Sequence, residues 1–234
     1  MTYVTSDIHG CYEQYRLMLK KINFSDNDIL YVLGDVIDYG TKPMEVLRDM
    51  SMRGNVIPIA GNHEYFALNI LSELLEEIME GNVQKIIHIA EDVANWQAFG
   101  GTPTIQGFSS LSKDERVYLY EYLTEFSLYE LIAVKGQQYV LTHTGVPENA
   151  NLTNLHVFSL YDYITAATID YNRVYFKDAI LVTGHTPTFH IGEKYRGKVY
   201  RRNNHLAIDT GGVFNVGGTF SCVCLDTGED FYIS

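Results

Sequence analysis

Cysteine is scarce. Cys11, Cys222 and Cys224 are an odd number at no disulfide-framework spacing, which fits a reducing compartment and excludes a stapled secreted scaffold. Proline is also sparse, 5 residues in 234, and no Pro- or Ser-rich stretch sets one part of the chain apart as a linker. Basic residues are outnumbered: 17 Lys and Arg face 29 Asp and Glu, and the formal net charge of -12 repels polyanions, so nucleic acid is not an expected partner. No window reaches eighteen consecutive apolar residues. The N-terminus runs at once into a strand pattern, Thr2-Tyr3-Val4-Thr5, without a basic segment followed by an apolar one. The expectation is a cytoplasmic protein with no membrane partner.

What remains is ordinary for a globular chain, 46% hydrophobic and 20% charged. A chain this long can bury roughly 70–75% of its unfolded surface, enough for a full α/β core. Cys222 and Cys224 lie two apart in an apolar run and so face one side of a strand. A Cys-x-Cys metal pair would need further Cys or His nearby, and none completes it, so these read as buried thiols.

The stretch that organises the chain is Gly34-Asp35-Val36-Ile37-Asp38-Tyr39-Gly40, which follows the apolar run Ile29-Leu30-Tyr31-Val32-Leu33. A short apolar run ending in Gly-Asp reads as a buried strand delivering a carboxylate to the carboxyl edge of a sheet, where open α/β folds bind ligands. The first strand does the same with Ser6-Asp7-Ile8-His9-Gly10, and the third, Asn55 to Ala60, ends in Gly61-Asn62-His63-Glu64. In extended chain Asp7 and His9 point the same way and can grip one ion. Short helices are expected between these strands, one with Leu17, Met18 and Ile22 inward, the next over Pro43–Met52 with Met44, Leu47 and Met50 inward.

From residue 65 to about 126 the period becomes helical. Leu68, Leu71, Leu74, Leu75 and Ile78 mark one helix, Gly81 a break, and Ile86 to Trp96 a second. Asn95 to Thr102 reads as a loop, and Ser112 to Glu125 as a third helix, with Ser112 and Glu115 at capping-box spacing. The whole reads as a helical insertion in a single domain spanning 1–234. Strands follow at Leu128–Val134, Gln138–Thr142 (ending in His143), Ala179–Thr183 (ending in Gly184-His185), Ile191–Tyr200, Leu206–Asp209 and Thr219–Leu225; Asn151–Phe176 is mixed. The fold class expected is α/β, two mixed sheets packed face to face with helices outside.

The strand-end residues are Asp7, His9, Asp35, Asp38, Asn62, His63, His143 and His185. Oxygen and imidazole donors without thiolate suit Mn, Fe, Zn, Ni or Co better than calcium. Two ions about 3.5–4 Å apart need a shared carboxylate, and Asp35 is central.

In order and spacing, Asp7-Ile8-His9-Gly10, Gly34-Asp35-Val36-Ile37-Asp38, Gly61-Asn62-His63-Glu64, the His143 strand end and Gly184-His185-Thr186-Pro187 resemble the metallophosphoesterase superfamily, and within it the serine/threonine phosphoprotein-phosphatase branch. That resemblance implies a four-layer sandwich and two divalent metals, Mn foremost. One metal would be held by Asp7, His9 and Asp35, the other by Asp35, Asn62, His143 and His185. It implies a hydroxide between the metals attacking phosphorus in line, with His63, oriented by Asp38, as general acid. The substrate it implies is a phosphate monoester on a protein or small molecule; bacterial relatives with similar motifs cleave dinucleoside polyphosphates. A metal-binding scaffold with weak turnover is the third reading.

Where the family usually has acid-Arg-Gly, this chain has Tyr39, so the arginine fork on phosphate is missing and tyrosine donates one hydrogen bond at most. Asn62 and Tyr39 are candidate phosphate contacts, Arg173 is a candidate replacement, and Arg201 and Arg202 stand behind it. For Asp38 a turn-forming carboxylate is an open alternative. Asp209-Thr210-Gly211-Gly212 also resembles a late family element, which places it near the site, with a strand-to-turn acid as a nearly equal reading, and Gly100-Gly101-Thr102 resembles the family's glycine pair before a threonine, with a flexible loop as the equal reading. His88, His156, His190 and His205 lack a motif and read as surface or satisfied core residues.

Overall fold

The computed structural model describes residues 1–80, 83–164, 169–214 and 217–234, with the side chains of 76–80 and 83–88 excepted. Gly81 and the side chains of Ile78, Ile86 and His88 therefore lie outside the described residues. The chain opens with β1 (Thr2–Thr5), α1 (Tyr12–Lys21), β2 (Ile29–Leu33), α2 (Pro43–Ser51) and β3 (Val56–Ile59). Next come α3 (Asn62–Glu80), α4 (Val83–Trp96), a wide turn at Gln97–Gly101, α5 (Thr102–Ser110) and α6 (Lys113–Thr124). It continues through β4 (Tyr129–Val134), β5 (Gln137–Thr142), α7 (Leu160–Ile164), β6 (Ala179–Thr183), α8 (Thr188–Ile191), β7 (Tyr200–Arg202), β8 (His205–Ala207), β9 (Phe220–Cys224) and β10 (Asp230–Ile233).

Two five-stranded sheets result, ordered β10-β9-β1-β2-β3 and β4-β5-β6-β8-β7. Each holds three parallel strands, β1, β2 and β3 in one and β5, β6 and β8 in the other, finished by antiparallel pairs. Side chains alternate across a strand, and the alternation sorts the core. Val4, Tyr31, Leu33, Leu141, Val182 and Val223 meet between the sheets. Tyr3, Leu30, Val32, Cys222 and Cys224 point outward into a second cluster with α1, α2 and α3. Val140 and Leu181 face a third cluster with Leu155, Tyr163 and Phe176 on the other outer face. Burying side chains of this size is worth about 1.5–3 kcal/mol each. The two cysteines share one buried face as free thiols.

Several elements differ from the sequence reading. In α1 the inward stripe is Tyr15, Met18 and Leu19, and Leu17 is 51% exposed. The Ser112 capping box is present at α6. The expected loop Asn95–Thr102 is instead helix to Trp96 and then a turn that runs into α5, which Pro103 opens. The expected strand Ile191–Tyr200 is α8 and a tight turn, and only Tyr200–Arg202 pairs as strand. Thr188 Oγ1 donates to the Tyr195 carbonyl, which holds the segment coiled despite its β-branched residues. A further strand, β10 over Asp230–Ile233, pairs antiparallel with β9 beyond the strands expected from the sequence. Among the described residues no helix is long and apolar enough to cross a membrane.

Candidate active site

The parallel strands of both sheets deliver their carboxyl ends to one edge. Asp7 follows β1, Asp35 follows β2, Asn62 follows β3, His143 follows β5, His185 follows β6 and Asp209 follows β8. Backbone hydrogen bonds lash these turns together: Asp7 N–H donates to Gly34 O (3.1 Å), His9 N–H to Asp35 O (2.9 Å) and Gly184 N–H to His143 O (3.0 Å). The close approach needs glycine at Gly61 and Gly184, where a side chain would collide with the Asp35 and Asp7 carboxylates. Asp7, His9, Asp35, Asp38, Tyr39 and His185 all have left-handed backbone, with φ between 46° and 72°. Residues held there cost about 1–3 kcal/mol each and persist because the surrounding turns dictate them.

Asp35 is the hub. Its Oδ2 lies 3.2 Å from His143 Nε2, 3.7 Å from His9 Nε2 and 3.9 Å from His63 Nε2. The other ring nitrogens of two of these histidines face backbone carbonyls, His9 Nδ1 to Ile37 O (2.9 Å) and His143 Nδ1 to Leu33 O (2.7 Å). Those contacts occupy Nδ1 and turn Nε2 inward, where it can serve as a ligand atom once it gives up its proton. Asn62 Oδ1 lies 3.0 Å from His143 Nε2, and both Asp7 oxygens accept from His185 N–H (3.2 and 3.1 Å).

The field here is negative. His143 is pushed up to about 10: burial opposes its charge, but Asp35 and, behind it, Asp7 outweigh that. Burial works against ionisation of Asp35, yet His143 and His63 hold its carboxyl below the usual range. Asp7 is driven well up by burial and by Asp209, and Asp209 is raised to about 7, mainly by burial. A site that draws protons onto imidazole and carboxylate attracts cations generally.

The donors fit divalent metal ions on that ground and by chemistry. His9, Asp35 and His63 form one group, and Asp35, His143 and His185 another, each with ligand atoms within 4.8 Å of one another. Asp35 belongs to both. Asp7 stands beside them, its carboxylate on the His185 amide.

His63 differs from the other histidines in its second partner. Its Nδ1 lies 2.6 Å from Asp38 Oδ2. Asp38 is fully buried and also accepts from Trp96 Nε1 (2.8 Å) and Thr104 Oγ1 (2.5 Å). Burial would lower the His63 pKa, but the Asp35 charge and the Asp38 hydrogen bond raise it above its ordinary value.

Three contributors had not been singled out from sequence. Glu64, fully buried, accepts from the amides of Asp35, Val36 and Gly61 at 2.8 Å each and bridges the β2 and β3 turns. Its place after Asn62-His63 was visible; its inward aim was not. Trp96 and Thr104 clamp Asp38 from the helical region. Gly100 and Gly101 are close-approach positions, Gly100 beneath the Tyr39 ring and Gly101 against the Trp96 ring. Thr104, not Thr102, reaches the carboxylate.

Tyr39 stands at the mouth, 41% exposed, its ring 4.9 Å from that of His9 and 5.4 Å from that of His63. Arg173 is engaged elsewhere, donating to Glu148 O (3.1 Å) with its guanidinium over the Tyr175 ring. Arg201 pairs with Asp230, and Arg202 is exposed on β7. His156 and His190 are exposed, while His205 is buried with Nε2 2.8 Å from Thr183 Oγ1.

The family profile for calcineurin-like phosphoesterases matches residues 2–213. The symmetrical bis(5'-nucleosyl)-tetraphosphatase of Actinobacillus pleuropneumoniae is 29% identical over 154 residues, 65% of this chain and 47% of that protein. The like-named protein of Buchnera aphidicola from Schizaphis graminum is 33% identical over 98 residues, 40% of this chain and 36% of that protein. The matched segments thus span less than half of these relatives' own length. Among solved structures, a serine/threonine phosphatase of Saccharomyces cerevisiae superposes with a TM-score of 0.61 over all of this chain and 79% of that one, at 12% identity, a likeness of fold.

Proposed function

The chain belongs to the calcineurin-like phosphoesterase family, and we propose that it hydrolyses a dinucleoside polyphosphate, with His63 delivering a proton to the leaving oxygen. The observation that carries the reaction type is the His63 Nδ1 to Asp38 contact at 2.6 Å, with Asp38 pinned by Trp96 and Thr104. The substrate is supported by the relatives above, the symmetrical bis(5'-nucleosyl)-tetraphosphatases.

We take Asp7, His9 and Asp35 to hold one divalent ion and Asp35, Asn62, His143 and His185 the other. Divalent ions at such donors supply Lewis acidity toward phosphoryl oxygens and lower the pKa of water to near neutrality. The protein's own part is positioning and proton transfer. Asp38 keeps His63 protonated and aims Nε2 toward the Asp35 side of the site, where the leaving oxygen emerges. Glu64 fixes the backbone from which Asp35 projects. The Tyr39 phenol and the Asn62 amide each offer one hydrogen bond to phosphate oxygens. The whole chain acts as one catalytic unit, with the helices of residues 65–126 inserted beside the site.

One observation favours a phosphomonoester substrate as the second reading. A fully built acid pair matters most for an alkoxide leaving group, which is a strong base, and less for a phosphate. Both readings meet the same test. Purified protein with added Mn is assayed on a dinucleoside tetraphosphate, a phosphopeptide and an aryl phosphate. The tetraphosphate is expected to give the highest kcat/KM. A higher value for the phosphopeptide would select the second reading, and turnover of none, with metal bound, would overturn both.

A further inference from the structure

Beyond His63 the molecule opens into a second cleft of about 760 Å³, walled by α3 on one side and the end of α4 with its following turn on the other. Asn62 and His63 line this cleft as well as the metal-facing site, so the two are continuous. We infer that the cleft seats the purine of the leaving nucleotide, stacked on Phe66 and Phe99, with Asn69, Asn95 and Asp92 along its edge. This rests on the dinucleoside polyphosphate reading.

Direction comes first. In an in-line displacement the leaving oxygen departs opposite the attacking one and takes its proton from the acid, so whatever it carries extends past His63. The cleft is what lies there. Its volume falls within the range of about 300–1,000 Å³ usual for small-molecule sites.

Its chemistry selects a flat, aromatic occupant. Phe66 is 55% and Phe99 69% exposed, and both line this one cleft. Exposed rings gathered in one concavity mark a binding surface, and every nucleobase offers them a π-face. The polar groups suit a base edge. Asn69 and Asn95 can each donate and accept, whereas a carboxylate at Asp92 accepts only and calls for an N–H donor such as an exocyclic amine. Among the described residues lining the cleft none is Lys or Arg, so it is not built to grip phosphate.

The chain has one tryptophan, and Trp96 forms part of the cleft wall, which supplies a readout independent of turnover. Adenosine, with ribose as control, is titrated into the metal-free protein while Trp96 fluorescence is followed. In parallel the Mn-loaded protein and its Phe99→Ala variant are assayed on a dinucleoside tetraphosphate and on glycerol phosphate. Adenosine should change the fluorescence saturably and ribose should not. Phe99→Ala should weaken adenosine binding and raise KM for the tetraphosphate about tenfold relative to KM for glycerol phosphate, the scale of one lost ring-on-base stack. No saturable response to adenosine, or the same midpoint and KM ratio in the variant while the tetraphosphate is turned over, would overturn the base cleft and leave the substrate reading standing. No turnover of the tetraphosphate, with adenosine still bound through Phe99, would overturn the substrate reading and leave the cleft.

Discussion

His143 and His205 are each 2% exposed and belong to the same sheet, yet their imidazoles are pushed in opposite directions. His143 follows β5 at the carboxyl edge and rises to about 10, because Asp35 and Asp7 outweigh its burial. His205 begins β8 at the opposite edge and falls to about 4, because burial acts alone. Its neighbours are the rings of Tyr171, Tyr175 and Tyr200, and among the described residues its ring meets one hydrogen-bond partner, Thr183 Oγ1. Equal burial therefore says little about what a histidine can do. Nearby carboxylates make one edge of the sheet attract cations, whereas burial among tyrosine rings keeps the His205 imidazole neutral.

The contrast breaks most completely at its source. Asp35→Asn removes the charge shared by His9, His63 and His143. Elemental analysis should show metal loss, and turnover should vanish with it. A variant that keeps both metals would mean Asp35 is not the shared anion.

His63→Asn should leave the metals in place and lower turnover on the order of 10²–10⁴. The raised His63 pKa also fixes a sign: the acid form exists below that value, so wild-type kcat should fall as pH rises through it. That alkaline limb should be missing from the variant's pH profile. Metal loss in the variant would contradict the acid role.

Glu64→Gln keeps the size and replaces an acceptor-only group by one that turns an NH₂ toward backbone N–H donors. Unsatisfied buried donors cost about 1–3 kcal/mol each, so chemical denaturation should show a loss of roughly 2–4 kcal/mol. A loss well under that would mean the amides of Asp35 and Gly61 find other acceptors.

At the neutral edge, the folded pKa of His205 lies below the unfolded value of about 6.5. Its contribution is fully present above pH 6.5 and is lost as pH falls toward 4, because the unfolded chain takes up the proton first. That difference is worth up to about 3 kcal/mol at the acid end. His205→Phe should flatten stability between those pH values, and an unchanged slope would assign it to other groups. Smallest of all, Tyr39→Arg should lower KM for a phosphomonoester on the order of threefold to tenfold by adding a charge-assisted contact. An unchanged KM would mean phosphate does not approach that position.

Much of the architecture was legible because strand patterns are local. Apolar runs that stop at Gly-Asp, Gly-Asn or Gly-His marked β2, β3 and β6, and the alternation of Tyr3 with Val4 and of Cys222 with Val223 sorts their faces. The errors fell where local signals conflict with packing. Gly100-Gly101 looked like a loop because glycine favours breaks, but it is there so that the Tyr39 and Trp96 rings can approach. Ile191 and Val199 looked like strand, but Gly192 and the bond from Thr188 to Tyr195 coil the chain between them.

Read alone, the chain specified which donor types arrive at strand ends, in what order, and that Tyr39 replaces an arginine. Strand length, glycine turns and side-chain alternation are properties of a few consecutive residues. Only the tertiary structure decided that Glu64 turns inward, that Trp96 and Thr104 clamp Asp38, and that His143 and His205 part ways. Each of these depends on charges and rings brought together from distant segments, where Coulomb energy and desolvation are set by distance and burial and not by sequence spacing.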